Sequence, residues 1–198
     1  MRHIIELKNG WQFTNLDGQT SEVSIPHTWN AIDGQDGGDD YKRGTCTYTL
    51  ALQKPAFDPD TQEVWIEFDG VNASAQVSLN GQDVCSHDGG YSTFRANLTG
   101  LLADENTLAV KADNSKNDRV YPQMADFTFY GGIYRPVHLL VVPKAHFALD
   151  YHGAPGLRIT PVLSADLKTA EIHAEAWVTG TAQSVQFTLG EETLSAPV

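Results

Sequence analysis

Ala75-Gln76-Val77-Ser78-Leu79 alternates apolar and polar side chains and runs straight into Asn80-Gly81. No other stretch constrains the fold so strongly. Period-two alternation suits a strand with one face buried, and Asn-Gly accepts the positive φ values that a two-residue hairpin turn requires. The same texture recurs in Glu63–Phe68, which stops at Asp69-Gly70, and in Val23–Ile25, Thr45–Leu50 and Asn106–Ala112. Val137–Val142 is apolar enough to be covered on both faces of a sheet. Helical periodicity is almost absent, and only Leu98–Leu102 hints at a helical turn. A chain of this kind predicts two packed sheets, an all-β jelly-roll sandwich ending near Pro143.

Past Pro143 the turn cluster Gly153-Ala154-Pro155-Gly156 precedes three evenly spaced strand segments, Leu157–Leu163, Ala170–Val178 and Ser184–Leu189. They read as the opening strands of an immunoglobulin-like β-sandwich, which needs about seven. The expected division is a jelly-roll domain over residues 1–145 and an incomplete immunoglobulin-like domain over 146–198. Half a sandwich leaves strand edges uncovered, so we expect the chain to be part of a longer protein or to pair with another copy.

The net charge of −12 comes from sparse Lys and Arg among many carboxylates, which argues against nucleic acid as a partner. The N-terminus turns polar at once, without the apolar segment of a signal peptide, and no run approaches membrane-spanning length; the expected address is the cytoplasm. Cys46 and Cys85 fit no metal or disulfide pattern and read as two free, partly buried thiols.

Chemistry concentrates in Asp126-Phe127-Thr128-Phe129-Tyr130-Gly131-Gly132-Ile133-Tyr134-Arg135-Pro136-Val137. One acid and a rank of aromatics ahead of a Gly-Gly pair suit a sugar, whose C–H faces need apolar cover and whose hydroxyls need hydrogen-bonding partners. The stretch also resembles the end of the N-terminal sugar-binding domain of family 2 glycoside hydrolases, most closely the β-galactosidase branch. Ile25-Pro26-His27-Thr28-Trp29-Asn30, Tyr41-Lys42-Arg43-Gly44, Phe68-Asp69-Gly70-Val71, Val77–Gly81, His87–Phe94 and Leu108–Asn114 resemble further landmarks of that domain, in the same order. Thr47-Tyr48-Thr49 departs from the Trp-Tyr-Arg that commonly follows the second landmark.

The resemblance implies that Asp126 reaches from this domain into a barrel's active site and holds the terminal galactose, sometimes with a bound cation. Asp126 is thus the metal-ligand candidate, and the parent enzyme is expected to use Mg²⁺ or Na⁺, with no cofactor in this chain itself. Phe127 and Phe129 are expected substrate contacts, with at least one aromatic of the loop facing the absent domain. Asp39 and Asp40, in the Gly-rich acidic loop from Asp33, or Asn30 beside it, are expected to approach the sugar. Arg135 reads as a structural hydrogen-bonder. His87-Asp88-Gly89-Gly90 reads as a tight turn, since no nucleophile is identifiable beside it. Glu171, His173, Glu175 and Trp177 share one strand face, read as exposed and polar, while Glu63 and Glu67 read as outward-facing surface residues.

Retaining glycosidases need two carboxyl groups about 5–5.5 Å apart, and the family carries them on a (β/α)₈ barrel of about 250 residues, which is not found here. The expected function is therefore the N-terminal, non-catalytic portion of a β-galactosidase-like hydrolase, contributing scaffold and substrate contacts and inactive alone. Its expected partners are a terminal β-galactoside, the barrel of the same protein, and a second copy in a homo-oligomer. The alternatives are an autonomous carbohydrate-binding module, a pure scaffold, or a β-glucuronidase or β-mannosidase parent.

Overall fold

A computed structural model describes residues 2–34, 41–121 and 127–198, and among them the regular structure is entirely β. In chain order the sandwich strands are β1 (His3–Glu6), β2 (Trp11–Thr14), β3 (Thr20–Val23), β4 (Thr45–Gln53), β5 (Gln62–Phe68), β6 (Ser74–Leu79), β7 (Gln82–Asp88), β8 (Phe94–Asn97), β9 (Glu105–Asp113) and β10 (Val137–Pro143). Six more follow: β11 (His146–Phe147), β12 (Leu157–Leu163), β13 (Ala170–Ala176), β14 (Val178–Thr179), β15 (Ser184–Leu189) and β16 (Glu192–Pro197).

Two antiparallel sheets make the jelly-roll sandwich, one ordered β1-β10-β5-β8 and the other β3-β2-β4-β9-β6-β7. The β6–β7 turn takes the form its sequence demands, with Asn80 at φ 54° and Gly81 at φ 80°. Alternation then sorts the side chains. In β9, Asn106, Leu108, Val110 and Ala112 point inward and are buried while Thr107 and Lys111 are exposed. They meet Val64, Ile66, Phe68, Leu139 and Val141 from the opposite sheet, together with Trp11, Tyr48 and Leu79, in one continuous core. Leu98–Leu102 forms a hydrogen-bonded turn, not a helix, closed by Leu101 N–H donating to Leu98 O.

The outer face of the four-stranded sheet is also covered, as the apolar β10 required. Trp65, Leu140 and Val142 pack there with Leu149 in a smaller cluster. This corrects the reading of Glu67 as a surface residue. Period two does put it on the outer face, but the segment after β11 lies over that face and leaves it 8% exposed. It pairs with Arg95, whose Nη1 donates to Leu149 O at 3.1 Å and Ala154 O at 3.0 Å. Glu63 is half-buried and accepts from Trp65 Nε1 and Asn97 Nδ2.

Beyond β10 the strands pair only two by two: β11 with β14, β12 with β13, β15 with β16. Glu171, His173 and Glu175 are exposed as expected. Trp177 leaves their face, because β13 ends at Ala176 and the indole stacks on Tyr151 with centroids 3.9 Å apart. Both cysteines are free thiols, Cys46 buried and Cys85 half-buried, and burial pushes each up to about 11.

Candidate functional site

At one end of the sandwich, the loops after β3, before β4, between β5 and β6, after β9 and before β10 converge. What joins them is a set of side-chain amides that do the work a neighbouring strand would do. Asn30 is 0% exposed. Its Nδ2 donates to Phe129 O at 2.9 Å, and its Oδ1 accepts from Gly131 N–H at 2.7 Å and from Thr28 Oγ1 at 2.8 Å. From the other side Asn72 Nδ2 donates to Tyr130 O at 2.9 Å, and its backbone exchanges hydrogen bonds with Gly132. Thr128 Oγ1 donates to Asp33 O, and Tyr41 OH to Phe127 O. Asn114 fixes the start of β4 by accepting from Gly44 N–H and donating to Lys42 O.

The Gly-Gly pair is dictated by this convergence. A Cβ on Gly131 would stand 2.5 Å from the Trp29 ring and 2.8 Å from Asn114 Nδ2. On Gly132, held at φ 118°, it would collide with the Tyr48 hydroxyl. Beneath the pair, His27 Nδ1 and Tyr48 OH lie 2.8 Å apart. Burial holds the imidazole below its ordinary value and the phenol above its own, so both are neutral near pH 7.

The backbone so fixed sorts the aromatics by side. Phe127 is 54% exposed and Tyr130 44% exposed, whereas Phe129 is 7% exposed. Phe129 therefore does not offer a free face to a ligand, contrary to expectation; its ring turns inward, 4.9 Å from that of Phe127, beside Tyr41, Asn72, Asn114 and Val120. Asn30 likewise cannot touch a sugar, because the loop it holds seals it. Asp126, Asp39 and Asp40 lie outside the described residues. Asn72 was not singled out by the sequence; a buried amide that binds backbone far along the chain leaves no local signature.

Other groups resolve into structural roles. Arg135 donates from Nη1 to Tyr91 O at 3.0 Å and Asp69 O at 3.4 Å, the loop-tying role expected of it. His87 Nε2 lies 2.9 Å from Ser92 Oγ and 3.1 Å from Gly89 O. A nitrogen donating to that carbonyl is not a base toward the serine. Asp88 turns instead to Arg119, Ser74 and Asn117, so the segment is a clasped turn. Among the described residues, Glu67, Asp69 and His138 bring three donor atoms within 4.8 Å of one another. Arg95 and Arg2 already offset the Glu67 charge, so a cation there would face two guanidiniums, and the cluster is an ion-pair network.

Comparison with known proteins agrees with this architecture. A family model described as "Glycosyl hydrolases family 2, sugar binding domain" matches residues 4–143. A β-glucuronidase of Bacteroides fragilis is 39% identical over 163 residues, covering 79% of this chain and 23% of the relative. A β-galactosidase of Thermoanaerobacterium thermosulfurigenes is 31% identical over 160 residues, covering 70% of this chain and 21% of the relative. Among solved structures, an FMN-binding β-glucuronidase from Facaelibacterium prausnitzii L2-6 superimposes with a TM-score of 0.85 at 37% identity, over 100% of this chain and 32% of that one. The chain thus spans between a fifth and a third of the length of these relatives.

Proposed function

Since this chain belongs to glycosyl hydrolase family 2 through its sugar-binding domain, we propose that it is the N-terminal, non-catalytic portion of a hydrolase of terminal β-glycosides and supplies one wall of the glycan pocket. The observation that carries this reading is the loop 127–132, held by the Asn30 and Asn72 amides and the Tyr41 hydroxyl from two other loops, with Phe127 and Tyr130 facing out. A wall of this kind covers apolar sugar C–H faces with rings, while Asp126, next in the chain, hydrogen-bonds hydroxyls as an anionic acceptor. The nucleophile and acid/base carboxylates belong to polypeptide outside this chain, and residues 146–198 open an immunoglobulin-like domain between the two. Mg²⁺ or Na⁺ beside Asp126 remains part of the proposal.

Relatives named β-glucuronidase are the more similar of those compared, at 37–39% identity against 31% for the β-galactosidase. This favours a β-glucuronide over the β-galactoside expected from motifs alone. The test uses the complete enzyme with nitrophenyl β-glucuronide and nitrophenyl β-galactoside. Asp126→Ala is expected to lower kcat/KM on the preferred substrate about 10–100-fold, the range for losing one or more charge-assisted hydrogen bonds. Unchanged kcat/KM would leave the domain a scaffold only. The isolated chain is expected to bind the monosaccharides no tighter than about 1 mM, because half a pocket leaves most of a ligand solvated; micromolar binding in calorimetry would favour an autonomous carbohydrate-binding module.

A further inference from the structure

Resting on that contact role, we propose that Asn30 is a positioning residue for substrate: its sealed carboxamide sets the pose of the Phe127 and Tyr130 rings without touching the glycan. Three observations converge on it. The side chain is 0% exposed, so any effect on a ligand must pass through what it holds. It holds the loop at two points 99 and 101 residues away, donating to Phe129 O and accepting from Gly131 N–H. That is the donor–acceptor pattern of a strand neighbour, supplied by one side chain at residues 129–131, beside the single backbone bridge between Asn72 and Gly132.

The two points flank Tyr130, whose carbonyl is taken from the opposite side by Asn72 Nδ2. With residues 129, 130 and 131 each tied, the peptide planes cannot rotate independently, and the order Phe127 out, Phe129 in, Tyr130 out is fixed before any ligand arrives. A platform ordered in advance loses less freedom on binding and presents its rings in one geometry to the transition state. A freely hinged loop would offer the same aromatics at the cost of ordering them each time.

Asn30→Asp replaces a single heavy atom and, when ionised, also buries a charge. It keeps the oxygen that accepts from Gly131 but replaces the N–H facing Phe129 O with an oxygen. The experiment measures kcat and KM for the preferred aryl β-glycoside in the complete enzyme for Asn30→Asp, Asn30→Ala, Phe127→Ala and the Asn30→Ala/Phe127→Ala pair. Rates are normalised by a covalent active-site titrant and taken well below each Tm, so that loss of folded enzyme does not count. Expected are at least a tenfold fall in kcat/KM for each Asn30 variant and a double variant no worse than its weaker parent, the non-additivity of residues acting through one element.

Asn30 variants within twofold of wild type per active site, whatever their Tm, or a double variant whose losses multiply, overturn the inference. Asn30→Asp, of nearly equal size, keeps the test if Asn30→Ala does not fold. A costly Phe127→Ala beside a silent Asn30→Asp defeats this inference alone, whereas a silent Phe127→Ala defeats the contact role and this inference with it.

Discussion

The two parts of this chain use the same strand chemistry to opposite effect. In β9 every second side chain is buried, whereas in β12 the apolar Ile159, Val162 and Leu163 are 63%, 49% and 59% exposed. Both strands are built from residues that favour extended backbone. The difference is what faces them: β9 lies in a six-stranded sheet with a second sheet against it, and β12 has only β13 beside it. Alternation makes a strand, but an apposed layer makes a core, and a lone two-stranded ribbon is marginal in water.

The sharpest way to break this comparison is a matched pair of truncations. Phe68→Ala in the sandwich is expected to cost about 3–5 kcal/mol in urea unfolding followed by Trp fluorescence, because its ring is fully buried and stacks on Phe94. Leu194→Ala, at a residue 75% exposed, should stay within about 0.5 kcal/mol. Equal costs would mean the second region has a core of its own.

The link between the regions comes next. Arg95→Ala leaves the buried Glu67 with only the longer contacts to Arg2 and His138 and strips two carbonyls of the 149–154 segment of their donor, so about 3 kcal/mol should be lost. Amide exchange should quicken in residues 148–156 while β4 and β9 stay protected; uniform acceleration would deny the local clamp.

A smaller effect is expected from pH, through two histidines of the sandwich. Burial holds His27 and His87 below the ordinary histidine value, so the unfolded chain takes up protons that the folded one refuses. That contribution is fully present above about pH 6.5 and is lost as pH falls below it. With both rings only half-buried the loss is below about 1 kcal/mol, and His27→Gln should flatten the slope. The smallest effect belongs to the second region. The Arg158–Glu175 pair is exposed on both sides, so Glu175→Gln should move stability by less than about 0.5 kcal/mol, and less still in 1 M salt.

Much of the architecture was legible beforehand. The Asn80-Gly81 turn, the strands around it and Leu157–Leu163 and Ser184–Leu189 stand where alternation and turn residues placed them, Ala170–Val178 is broken at Trp177, and Val137–Val142 is covered on both faces as its composition required. The aromatic loop stood out in the sequence, but which of its rings are exposed did not. Phe127, Phe129 and Tyr130 are equivalent in a string of letters, and one of the three is buried. Glu67 showed the same limit, since period two names a face but not whether something covers it.

By itself the sequence determined the all-β class, most long strands and their turns, because these follow from side-chain period and backbone preference within a few residues, while its ordered motifs carried the resemblance to the family. Only the tertiary structure decided which aromatic faces out, that Asn30 is sealed, and that Glu67 is clamped beneath a later segment. Each of those outcomes depends on hydrogen bonds or burial joining residues 28 to 101 positions apart, and no local pattern encodes a partner that distant.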